Sequence, residues 1–371
     1  MKNKKLSKLQ LAQHQTETAI LRTNQTIDRM GEYSISLNDS LNYIHSLFDS
    51  IRNVPSEDRA KAEELKKIRL QWSQQAENIE LEYKKAEVKT VGQGTAGVGA
   101  GVAVVTLGPS AAMGIATTFG VASTGTAISS LSGAAATNAA LAWLGGGALT
   151  AGGGGMVAGS AFLALAGPVG WGIAGVSLLA SGLMFWKTKS DKERLENIFT
   201  LISERDIKSY NLAIVELSER ILRIKNETNK LVRACVRIES FGTDYNDMTE
   251  EQQYELGAYV NLMESSTTLL TNPILGLSPR YTEQDLDKLC KDDSMLDYAD
   301  YYYNNKTLII ALANLLYKID MNDKDRKLLA KSLKSNKEFL SSVDMNKKEF
   351  TDEHLIMVDK ALSHVYKIRE Y

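Results

Sequence analysis

Cysteine, histidine and proline are sparse in this chain, at two, four and five of 371 residues. Cys235 and Cys290 are too few for a disulfide framework and lack metal-ligand spacing, which points to a reducing compartment. His14, His45, His354 and His364 have no evident cysteine or aspartate partner at catalytic spacing, so each is expected at the surface. Charge of one sign is lacking too. The net charge is −2, and bulk electrostatics favours neither nucleic acid nor another strongly charged partner. The amino terminus, MKNKKLSKLQLAQHQ, opens basic but meets Gln and His where a secretory signal needs a continuous apolar core, so an unprocessed chain made in the cytoplasm is expected.

Catalytic signatures are missing as well. No P-loop lysine pattern, nucleophile elbow, HExxH or paired-cysteine motif occurs. Residues 92 to 97 spell GQGTAG, a literal G-x-G-x-x-G, but a charged helix precedes it instead of a strand, and no acidic residue follows at ribose-binding distance. The acidic run Glu283, Asp285, Asp287, Asp292, Asp293, Asp297 and Asp300 lacks EF-hand spacing and its mid-loop glycine, and reads as a solvated face. Tyr301, Tyr302 and Tyr303 cannot all be buried on one helix face, so a partly exposed patch is expected there. The expectation is a protein that is not an enzyme and holds no cofactor and no metal.

What is present is helical periodicity. From Leu6 to Ile51, Ile20, Ile27, Leu41 and Phe48 share one heptad position, and Met30, Leu37, Ile44 and Ile51 the other. Pro55 interrupts this helix, and Ser56 can cap a second, which turns Leu65, Ile68, Trp72, Ile79 and Ala86 inward. A third helix is predicted from about Lys189 to Ser240, with Ile207, Tyr210, Ile214, Leu217, Ile221, Ile224, Leu231, Cys235 and Ile238 in register. Thr249 to Gln252 forms a capping box for a fourth, ending near Leu270. Pro273, Gly276 and Pro279 mark a boundary, beyond which three or four shorter helices start near Thr282, Asn322 and Thr351. No period-two alternation persists outside the insert described next, so the fold class is all-α. It is an elongated bundle with units at 1–89, 187–272 and 273–371 around a central insert, 90–186.

That insert carries the largest absence of all. Between Lys89 and Lys187 lie 97 residues without Asp, Glu, Lys, Arg or His. They hold 23 of the 27 glycines, all but Gly31, Gly242, Gly257 and Gly276. About 20 apolar residues as helix cross a bilayer core, and two stretches are long enough. The first runs from Val98 to about Ser123, is broken by Pro109, and offers Val98, Val102, Val104, Val105 and Leu107 to lipid. The second, Met156 to Trp186, offers Met156, Phe162, Leu163, Leu165, Trp171, Ile173, Val176, Leu178, Leu179, Leu183, Met184, Phe185 and Trp186. Gly97 with Gly101 and Gly155 with Gly159 are G-x-x-x-G pairs suited to close helix approach in lipid. Lys84, Lys85 and Lys89 precede the insert and Lys187 and Lys189 follow it. Basic flanks on both sides keep both ends on the cytoplasmic face and favour a two-helix hairpin.

Long amphipathic helices enclosing a glycine-rich apolar hairpin between the second and third resemble the α-helical pore-forming proteins of the cytolysin A and tripartite-enterotoxin type. The hairpin is also similar to those of apolipoprotein L and colicin-type channel formers. The resemblance is architectural and covers residues 6 to 270. It implies a water-soluble form that shelters the hairpin, and a membrane form that exposes it and oligomerises through the heptad helices, with the lipid bilayer as partner. The insert is longer than a short β-tongue and no export signal is recognisable, so the resemblance accommodates an intracellular defence effector as well as a toxin. A constitutively membrane-anchored coiled-coil scaffold is the other expectation these features allow.

Overall fold

The structure, a computed structural model, describes residues 8–92, 109–119, 188–277, 280–335, 339–340, 343 and 345–369. Among them lie ten α-helices: α1 Lys8–Ser50, α2 Ser56–Gly92, α3 Pro109–Phe119, α4 Lys189–Glu239, α5 Glu250–Thr271, α6 Glu283–Cys290, α7 Ala299–Asn304, α8 Lys306–Leu316, α9 Asp323–Ser335 and α10 Glu353–Arg369. No strand occurs among the described residues, and the fold is all-α.

The heptads of α1 are its buried face. Ile27, Met30, Leu37, Leu41, Ile44, Phe48 and Ile51 are all buried, and Thr16, Thr23 and Ser34 are buried at further seam positions. At about 1.5 Å per residue the 43 residues of α1 and the 51 of α4 are long rods that need a neighbour along their length. They run side by side in the same direction. The Lys225 ammonium sits 4.4 Å over the Tyr33 ring, and Tyr43 donates to Glu239 at 2.5 Å. Helices α2 and α5 run back against them, tied by Lys61 to Glu264 at 2.6 Å and Arg237 to Glu255 at 2.9 Å. The turn after α1, with Asn53 at φ 62, is clipped to the turn after α4: Arg52 N–H donates to the Thr243 carbonyl at 2.9 Å and Tyr245 N–H to the Arg52 carbonyl at 3.0 Å. The capping box of α5 forms as the Thr249 and Gln252 spacing predicts.

Two hydrophobic cores result. One joins α1, α2, α3, the part of α4 from Tyr210 onward, and α5. The other gathers α6 to α10 around α8, every residue of which from Leu308 to Leu316 is buried, and takes in Leu9 of α1 and Leu195, Ile198, Phe199 and Ile202 of α4. Helix α4 therefore runs through both. Between its two apolar stretches sits Asp206, fully buried and held by Arg205 at 2.9 Å and Arg280 at 3.0 Å. Arg205 also donates to the Leu315 and Tyr317 carbonyls. Asn314, buried in α8, donates to the Tyr281 carbonyl and accepts from the Arg280 and Tyr281 amides, so its amide is satisfied on both sides.

Several expectations are corrected. His45 and His354 are buried, and His364 is largely so, 3.2 Å from Asp292; only His14 is exposed. An imidazole is small and largely apolar when neutral, and burial lowers the pKa of His354, which keeps it uncharged among Phe350 and Tyr301. In α4 the core positions are Asp206 and Ala213, while Ile207 and Ile214 are half-buried; in α2, Arg69 is buried and Ile68 only half-buried. Polar residues won core positions from isoleucine because the neighbouring helix, not hydropathy alone, sets rotation about the axis. Ser56 is the first helical residue and the Pro55 carbonyl accepts from Arg59 N–H. Among the described residues beyond Pro279 lie five α-helices, split at Asn305 and by polar turns. Of the acidic run, Glu283, Asp285 and Asp292 engage Lys306, Arg369 and His364, while Asp293, Asp297 and Asp300 are exposed. Of the three tyrosines, Tyr302 is buried and donates to the Met357 carbonyl, and Tyr303 is exposed.

Candidate functional site

The candidate site is the place where the uncharged insert meets the helical body. Its described part is α3. The first apolar stretch lies outside the described residues up to 108, and Pro109 is the first described residue of α3. Its eleven described residues span about 16 Å. Among the described residues no helix is long and apolar enough to cross a membrane.

Helix α3 is wedged between α1 and α2 and reaches α5. Ala112, Ile115, Ala116, Thr117 and Thr118 are each at most 2% exposed, and the three apolar ones belong to the same core as α1, α2, α4 and α5. Two glycines make the approach possible. A Cβ on Gly31 of α1 would stand 1.6 Å from the Ser110 carbonyl oxygen, and a Cβ on Gly114 of α3 would stand 2.1 Å from that of Ile27. Both are far inside any contact distance, so the two backbones touch directly, as small-residue helix interfaces allow. Around this crossing the Ser110 hydroxyl donates to Asp28 at 3.0 Å, and the Thr117 and Ser34 hydroxyls lie 3.1 Å apart. Thr118 donates to the Gly114 carbonyl at 2.7 Å, and its own carbonyl accepts from Ile274 N–H at 2.6 Å. No charged group of α3 is involved, because it has none; dispersion, apolar burial, a few neutral hydrogen bonds and the one to the Asp28 carboxylate hold it.

Of the residues singled out in the sequence, Val98, Val102, Val104, Val105, Leu107, Gly97, Gly101, Gly155, Gly159, Lys187 and all those from Met156 to Trp186 lie outside the described residues. Lys84, Lys85 and Lys89 are carried on the last turns of α2. Lys189 opens α4, exposed and 3.8 Å from Glu193. Sequence reasoning missed Gly31, Ser34 and Asp28, which receive α3. A signal was available: a glycine within a long helix costs about 1 kcal/mol relative to alanine, so the only glycine of α1 marks a close approach.

No family model, curated protein or solved structure matches this chain.

Proposed function

We propose that this is a membrane-permeabilising helical protein, a toxin or an intracellular defence effector, whose insert at residues 90–186 is sheltered by the helical body and enters a bilayer when released. The single observation that carries the reading is the run of 97 residues without an ionisable side chain. In a chain in which 24% of residues are charged, such a run belongs where water is scarce. The packing of α3 supports it: an apolar piece of the insert is held in the core by interactions that cost little to exchange, since apolar area buried at about 25 cal/mol per Å² is equally satisfied by lipid tails. Two states of similar free energy are then available, and a lipid surface selects between them.

A second feature supports oligomerisation through the heptad helices. On the face of α4 away from the core, Leu201, Val215, Leu222 and Val236 fall on one heptad line and are all exposed. The partners in this reading are lipid and further copies of the chain, with no enzymatic step, cofactor or nucleic acid, and the chain passes from a cytoplasmic to a membrane-associated form.

The test is dye release from vesicles by the wild type and by Gly31→Leu. The leucine side chain occupies the space of the Ser110 carbonyl, so the variant is expected to keep its helical circular dichroism while α3 is displaced, and to release dye at lower protein concentration than the wild type. If both proteins are folded and leave vesicles intact across lipid compositions and pH, the proposal fails. Carbonate-resistant membrane binding without leakage would identify an anchored scaffold instead.

A further inference from the structure

Away from α3, where the end of α1 meets the start of α2, His45, Asp49 and Glu63 bring one imidazole nitrogen and two carboxylate oxygens within 4.8 Å of one another. His45 and Asp49 stand one turn apart on α1, and Glu63 reaches across from α2. His45 Nε2 lies 3.6 Å from Asp49 Oδ1 and 3.8 Å from Glu63 Oε1. His45 is only 3% exposed, yet among the described residues neither of its ring nitrogens has a hydrogen-bond partner. A buried imidazole is ordinarily satisfied by a carbonyl, a hydroxyl or a water. Here its Nε2 is aimed at two carboxylates, at distances too long for hydrogen bonds and close to those between ligands of a shared ion.

We infer that His45, Asp49 and Glu63 form a binding site for a divalent transition-metal ion of the zinc class. Ligand bonds of about 2.0–2.1 Å in a tetrahedral site place donor atoms about 3.3–3.5 Å apart, so the two separations from His45, 3.6 and 3.8 Å, close by a few tenths of an ångström, and the two carboxylate oxygens already lie within 4.8 Å of one another. One nitrogen and two oxygens, with water in the remaining position, suit Zn²⁺, Co²⁺ or Mn²⁺; an imidazole ligand disfavours Ca²⁺ and Mg²⁺. The Lys66 ammonium lies 3.2 Å from Asp49 Oδ2 and 3.8 Å from Glu63 Oε1, so it supplies the positive charge that an ion would bring. It is 41% exposed on a flexible stem and can withdraw into solvent, which makes Lys66 an internal competitor for the site. An ion held there staples α1 to α2. The site is independent of whether α3 ever enters lipid.

The experiment is titration of the untagged full-length chain with Co²⁺, read by its visible d–d absorption, followed by competition with Zn²⁺, Mg²⁺ and Ca²⁺. The expected result is saturable binding of one equivalent, displaced by Zn²⁺ far more readily than by Mg²⁺ or Ca²⁺. His45→Ala and Glu63→Gln should each weaken binding by about tenfold or more, and Lys66→Ala should tighten it, a gain that a merely structural role for His45 does not produce. Glu63 is 46% exposed, so Glu63→Gln remains informative should His45→Ala fail to fold. No saturable binding by the wild type and Lys66→Ala, binding indifferent to Glu63→Gln, or equal displacement by Ca²⁺ would overturn the assignment.

Discussion

Arg69 occupies the core-facing position of α2 between Leu65 and Trp72 and is 2% exposed. Among the described residues its Nε and Nη1 have no hydrogen-bond partner, and desolvation lowers its pKa to about 10. A charge taken out of water without a carboxylate or carbonyl to receive it lowers the stability of the folded form. Asp206 shows the contrast, since burial there comes with two guanidinium partners and its removal would leave Arg205 and Arg280 uncompensated. Arg69→Met keeps the length and most of the volume of the side chain while removing the orphaned donors. The expected gain is about 1–3 kcal/mol, read as a higher urea midpoint with an unchanged slope, and a lower midpoint would show that Arg69 has a stabilising role in the core. If the sheltered form is the one that must open, the same substitution also slows dye release.

Among the elements, the long helices were legible from the sequence because a stripe repeated over five or six heptads averages out local ambiguity. From Ile27 to Ile51 both α1 seams fall where the residues predict them, as do the α5 capping box and the break at Pro55, while the side chain of Ile20 lies outside the described residues. Less legible was rotation about the axis: Arg69 in place of Ile68, and Asp206 and Ala213 in place of Ile207 and Ile214, because a heptad stripe tells that a face is buried and not which neighbour covers it. For the same reason the passage of α4 through two cores was invisible, since Leu195 and Leu217 are equally apolar whichever core receives them. The site was half legible. The absence of charge in residues 90–186 pointed to the insert, but Gly31 and Ser34 became meaningful only once α3 was seen lying on them. The outward line of α4 makes an element-scale prediction: Leu222→Lys places a charge where copies would pair and leaves the core untouched, because Leu222 is 58% exposed. The variant should melt with the wild type to within about 0.5 kcal/mol and still bind vesicles, but show fewer cross-linked oligomers and less leakage. Oligomers undiminished by Leu222→Lys would place the contact on another face.

For the whole molecule, the question is whether α3 must leave the body for anything to happen at a membrane. The Ser34 and Thr117 hydroxyls are 3.1 Å apart on facing helices, so cysteines at these two positions fall within bridging reach. The native cysteines interfere little: both are buried, and burial raises both thiols, Cys235 to about 11, which leaves little of the reactive thiolate at neutral pH. In the double variant Ser34→Cys, Thr117→Cys, oxidation closes a loop through the first part of the insert and fastens α3 to α1. The oxidised form should be the more stable by about 2–4 kcal/mol and should not release dye, while reduction should restore release on the same sample. Because one covalent bond is made and broken with the sequence unchanged, the comparison separates loss of movement from loss of folding. Equal leakage from the oxidised and reduced forms would mean that α3 stays in the body while the protein acts, and that the second apolar stretch, Met156 to Trp186, enters lipid without it.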